Sequence, residues 1–163
     1  VNILAFDPGL SGALAIVDEH RVVFVDDLPV HQIRAGKKIR AELDIGGLRE
    51  MLVAQAIDHV FIEKVSARPG QGLTSMFRFG LATGQLIGLM AGLRLPYTTI
   101  TPQRWQRLAG CGPAPDEARR RAGQLYPEAV PQLTRRRDSG RADAILLAHV
   151  GSKLLNQTQQ VAA

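Results

Sequence analysis

At 163 residues, 45% of them apolar, the chain can fill one hydrophobic core but is too short for two ordinary domains. Its single cysteine, Cys111, excludes an internal disulfide and a cysteine-based zinc cluster, and suits a reducing cytoplasm. The net charge of +5 comes almost wholly from arginine, 16 of the 20 basic residues, and eight arginines lie between Arg104 and Arg137 against three acids. Such clustering suits nucleic-acid phosphates, although a solvated basic face accounts for it equally well.

In chain order, Val1–Phe6, Gly12–Val17 and Val22–Val25 read as three strands of an antiparallel meander with short connections. Leu28–Leu43 reads as a polar, basic connection carrying Arg34, Lys37, Lys38 and Arg40. Asp44 then caps a helix to about Ala56, with Leu48, Leu52 and Ile57 on its apolar side. "HVFIEK" is a short buried strand ending near Glu63, followed by the loop "SARPGQGL" and a long helix over Thr74–Gly92. Gly and Gln interrupt the apolar stretch Leu81–Leu95, so it is not read as a membrane span, and no signal-like segment opens the sequence. "YTTI" is the last strand, and Thr101-Pro102 starts a short helix. Two further helices follow, Pro115–Leu125 and Asp138–Leu155. The expectation is one α/β domain over residues 1–163, a five-stranded mixed sheet flanked by helices.

Asp7 and Glu63 each close an apolar strand and precede a glycine-containing loop. If the two strands pair in parallel, their carboxylates converge at one sheet edge. Asp143 falls near the start of the last helix, and Asp138 sits at its N-cap. Gathered carboxylates repel unless a cation joins them, and hard oxygen ligands select Mg²⁺, with Mn²⁺ as a substitute. Two such cations can activate a water and stabilise the leaving oxygen in phosphodiester hydrolysis. A turn role for a strand-end acid and a plain capping role for Asp138 stand beside this reading.

The segments "FDPGLSGALA", "FIEKVSARPGQGLTSMFRFGLATGQLIG", "TITPQRWQRLAG" and "SGRADAILLAHVG" resemble the RuvC-like Holliday junction resolvases, in particular their phage-encoded branch, within the RNase H-like superfamily. The resemblance implies a Mg²⁺-dependent endonuclease that cuts four-way junctions and related branched DNA by symmetric nicks, leaving 5′-phosphate and 3′-hydroxyl ends. It implies a metal site of Asp7, Glu63 and Asp143. The family's fourth ligand lies three residues before the last acid, where this chain has Gly140, and Asp138 is the expected stand-in. The family's junction-wedging aromatic is replaced by Ser66, and Phe77 is a wedge only if exposed, core packing being its first reading.

Lys64, beside Glu63, either neutralises charge at the site or faces solvent. Arg68 and Gln71 in the following loop, Arg78 on the long helix, and Arg119 are candidate DNA contacts. Arg135 and Arg136, with the Arg34–Arg40 segment, flank the site as electrostatic contacts. Trp105 is read as packing the short helix on the core, and His149 as packing too. Gly80, Gly84, Gly88 and Gly92 recur every fourth residue, at about 1 kcal/mol each relative to alanine, which calls for a close partner. That partner is either the chain's own sheet or a second copy, and symmetric nicking favours a homodimer. Two rival readings are a non-cleaving junction- or RNA-binding protein of the same fold and a nucleotide-binding kinase-like protein, for whose usual pair of domains the chain is too short.

Overall fold

The three apolar runs that open the chain form the expected meander: β1 (Ile3–Asp7), β2 (Ala13–Val17) and β3 (Val22–Asp27) pair antiparallel in sequence order. The structure, a computed structural model, describes residues 1–162 except Lys37, Val65, residues 67–69 and Gln71. For Ala35, Lys38, Pro115, Gln159, Val161 and Ala162 it gives the backbone alone. β6 (His59–Glu63) adds parallel to β1, and β7 (Tyr97–Ile100) parallel to β6, giving one five-stranded mixed sheet in the order β3-β2-β1-β6-β7.

Leu28–Leu43, expected to be a connection, instead holds β4 (Val30–Ala35) and β5 (Lys38–Leu43), an antiparallel hairpin apart from the main sheet. Its strands meet across a two-residue turn containing Gly36, whose φ of +63° is a conformation that primed hairpin turns require. The ribbon escaped the sequence reading because its strands bear charges on both faces, hiding the apolar–polar alternation of a half-buried strand.

Both sheet faces are covered, which is why β1 and β2 read as continuous apolar runs rather than alternating ones. Side chains of alternating parity enter two separate cores. Leu4, Phe6, Leu14, Ile16, Val60 and Ile62 pack under α1 (Ile45–Val53) and α2 (Leu73–Gly92). Ile3, Ala5, Ala13, Ala15, Phe61 and Ile100 pack under α3 (Pro102–Ala109), α4 (Pro115–Leu125) and α5 (Ser139–Ala162). Asp44 caps α1 as expected, its Oδ1 accepting the Gly47 N–H at 2.9 Å. α5 crosses β1, β2 and β6, and over β6 it lies so close that a Cβ at Gly151 would fall 2.4 Å from the Phe61 ring.

The α2 glycines find no partner within the described residues: a Cβ at Gly80, Gly84, Gly88 or Gly92 would meet nothing within 4 Å. They share the exposed face with Leu73 (82% exposed), Phe77 (72%) and Leu81. Phe77 therefore does not pack in the core as first read. Helical spacing puts it on the side opposite the buried Ala82, Leu86 and Met90. No helix among the described residues is long and apolar enough to cross a membrane.

Candidate active site

Asp7 and Glu63 are the last residues of β1 and β6, neighbouring parallel strands registered as far as Phe6 opposite Ile62. Both acids stand one step beyond that pair. By parity they share the face of Ala5 and Phe61, the face that α5 covers. Asp143 lies one turn into α5, between the buried Ala142 and Ala144. Beyond Asp7 the chain folds back so tightly that a Cβ at Gly12 would fall 2.0 Å from the Asp7 carbonyl oxygen. Only glycine permits that turn.

The three acids feel one another. Burial, then the charges of Glu63 and Asp143, hold the Asp7 carboxyl well above the ordinary carboxylate range, and it is hydrogen-bonded to Glu63. Asp143 is pushed up to about 7, first by burial and then by Glu63. A cluster that retains protons near neutrality for want of positive charge is one that a divalent cation relieves. The donor set, three hard carboxylates, is chemically suited to Mg²⁺ or Mn²⁺. As placed, no group of three or more His, Cys, Asp or Glu side chains among the described residues is gathered closely enough to hold an ion.

Two neighbours of the cluster were not read from the sequence. Trp105 packs as expected, 1% exposed, but its indole Nε1–H also donates to Glu63 Oε1 at 2.9 Å. A contact between residues 42 positions apart leaves no local signal in the sequence. Cys111 is near enough to feel the charge of Asp143. Its thiol is raised by burial, then by Asp143 and Glu117. Gly140 borders Asp7: a Cβ there would be 3.0 Å from Asp7 Oδ2 and 3.2 Å from the Ser11 carbonyl oxygen.

Asp138 stands apart from this group. Its buried carboxylate accepts the Arg135 backbone N–H at 2.8 Å (Oδ2) and the Arg135 Nη2 at 2.8 Å (Oδ1). The Arg135 hydrogen bond holds its pKa below the ordinary value. The same contacts close a short 3-10 turn, Arg136–Asp138, immediately before α5. The carboxylate is thus committed to Arg135 at the end of that turn, and not to capping α5 as the sequence suggested.

Among the candidate DNA contacts, Lys64 is exposed, and its backbone N–H donates to the Ile100 carbonyl at 2.7 Å. Arg78 is exposed at the rim of a hollow formed with Gly9, Leu10, Ser11, Ser75 and Phe79, beside the turn that follows Asp7. Arg135 and Arg136 are exposed. Arg119 is largely committed elsewhere: it pairs with Asp116 and reaches the carbonyls of Leu133 and Thr134. Arg68 and Gln71 lie outside the described residues. His149 packs as expected, its Nδ1 2.8 Å from the Tyr126 hydroxyl, and burial followed by Lys153 and Arg121 pushes its pKa down to about 4.

No family model matches the chain, and no curated protein matches its sequence. Solved structures do match. RuvC of T. thermophilus in complex with Holliday junction substrate superposes with a TM-score of 0.70 at 12% identity, covering 96% of each chain. A second Thermus thermophilus RuvC structure gives 0.61 at 17% identity over 97% of each. The fold of this chain, a five-stranded mixed sheet with flanking helices, is the RNase H-like fold of RuvC.

Proposed function

We propose that residues 1–163 form one nuclease domain that, with Mg²⁺ or Mn²⁺, nicks four-way junctions and related branched DNA to 5′-phosphate and 3′-hydroxyl ends. One observation carries the reading: Asp7 and Glu63 leave neighbouring parallel strands on the same edge and face, under the helix that supplies Asp143. Bound divalent cations would supply Lewis-acid activation of water and stabilise the leaving oxygen. The chain's own residues hold and orient. Asp7, Glu63 and Asp143 would be the ligands, and Trp105 fixes one oxygen of Glu63. Gly12 and Gly140 keep Cβ atoms away from the Asp7 side of the pocket. Arg78 and Lys64 offer positive charge at its rim for the DNA backbone. The likeness to a RuvC solved with a Holliday junction supports branched DNA as the substrate class.

Two cuts need two sites, and the exposed α2 face of Leu73, Phe77, Leu81 and the glycines supports a twofold dimer across that helix. The test compares nicking of mobile and fixed junctions in Mg²⁺, Mn²⁺ and Ca²⁺, with Asp7→Asn as control. The expected result is cutting in Mg²⁺ and Mn²⁺, and an Asp7→Asn protein that binds junctions without cutting. If no cation supports cutting of any branched substrate, the reading fails. Gly140 at the fourth ligand's position favours the second reading, a junction- or RNA-binding protein that does not cut, and tight binding of junctions or RNA without cutting in any cation would establish it.

A further inference from the structure

The β4–β5 hairpin pairs with no strand of the main sheet, and its root faces the N-terminal half of α2 across a hollow. Leu43 is buried there, and Arg40, Ala41 and Glu42 line a hollow of about 110 Å³ against Thr74, Phe77 and Arg78. The end of β5 and the first half of α2 thus border one hollow. Residues 30–41 carry Arg34, Lys37, Lys38 and Arg40 and no acid. Across the ladder Ile33 faces Arg40 and Arg34 faces Ile39, so each face carries an arginine beside an exposed isoleucine, Ile33 at 37% and Ile39 at 65%. Among the described residues, Arg34, Arg40 and Arg78 make no ion pair, whereas Arg21, Arg119, Arg135 and Arg141 each do.

Charge alone would serve to keep a bare ribbon from pairing with another chain. Exposed isoleucines work against that purpose. Cation and apolar surface side by side instead suit a DNA groove, whose walls are phosphate and whose floor offers thymine methyls among its hydrogen-bonding base edges; the major groove admits a two-stranded ribbon. Arg78 supplies continuity, because it lines both the hollow beneath the hairpin and the one beside the turn after Asp7. A DNA backbone leaving the acid cluster past Arg78 therefore runs toward Arg40.

We infer that the hairpin is a second DNA-contacting element, a basic ribbon that seats on a duplex arm leading away from the cut site. The inference rests on the nuclease reading for DNA as the ligand, but its test needs no cutting. Junction affinity is measured in EDTA between 50 and 200 mM salt for the wild type and for Arg34→Gln/Arg40→Gln, with long and with truncated arms. Loss of two phosphate contacts lowers the slope of log K against log salt by about 1.8 per engaged subunit, so wild-type affinity falls about twelvefold further over that range. Truncating the arms should weaken the wild type and leave the double variant unchanged.

An unchanged slope together with an unchanged response to arm length overturns the inference. A photo-crosslinking side chain at position 39 provides a check that spares the arginines. Crosslinks on arm duplex support the assignment, whereas crosslinks confined to the crossover, or none, overturn it. Wild-type protein that binds with this salt and arm dependence but never nicks in Mg²⁺ would instead sink the nuclease reading alone.

Discussion

Replacing Asp143 by asparagine should make the metal-free protein more stable at alkaline pH. The Asp143 carboxyl is pushed up to about 7 by burial and by Glu63, from an ordinary 3.8. The folded state therefore holds a proton that the unfolded chain has lost between those values, and stability falls as pH rises through that window. At about 1.4 kcal/mol per pH unit, the full loss above pH 7 is about 4 kcal/mol. Asparagine keeps the shape and never ionises. In EDTA at pH 8, Asp143→Asn should exceed the wild type by about 3–4 kcal/mol, or roughly 10 °C in Tm for a chain of this length. At pH 4 the two should agree within about 1 kcal/mol. Urea titrations followed by circular dichroism across pH 4–8.5 measure this directly, and Mg²⁺ should stabilise the wild type far more than the variant. A variant no more stable than wild type at pH 8, or an advantage that survives acidification, would refute the electrostatic reasoning.

Trp105→Phe keeps the ring and deletes the donor to Glu63. Mn²⁺ affinity measured by calorimetry should fall at least about tenfold, as for other partners that orient a metal ligand, and an unchanged affinity counts against the role. Asp138→Asn should cost about 1–3 kcal/mol in chemical denaturation through the weakened Arg135 contacts, while nicking per folded molecule stays at the wild-type rate. A nicking loss as deep as that of Asp7→Asn would return Asp138 to the catalytic set. Phe77→Asp places charge on the exposed α2 face and should yield monomers in sedimentation. Persistence of dimers would move the interface elsewhere.

The strand-end acids were legible because a carboxylate terminating an apolar run conflicts with packing, and only two runs ended that way before a glycine turn. What the sequence could not supply was pairing. The convergence of Asp7 and Glu63 depends on β6 lying parallel beside β1, which is a matter of topology. The α2 glycine spacing announced a special face but not its direction, since the same period serves a sheet or a second helix; the open space above Gly84 and Gly88 sets aside the chain's own sheet. Asp138 misled because proximity along the chain to Gly140 says nothing about where its carboxylate turns, and Arg135, three residues earlier, captures it. The hairpin stayed hidden because, Leu43 at its root apart, the described residues of its strands lie outside both cores, so nothing imposed an apolar stripe on them.

Trp105 is the only tryptophan in the chain. Its intrinsic emission therefore comes from a single buried ring whose N–H is tied to Glu63. The protein thus carries a native optical probe joined by one hydrogen bond to the centre of its acid cluster. A change in the charge or position of Glu63, whether from protons, cations or a DNA backbone, reaches that chromophore without any label. Stopped-flow fluorescence can then time the loading of the site separately from the appearance of nicked strands, and so distinguish slow filling from slow chemistry.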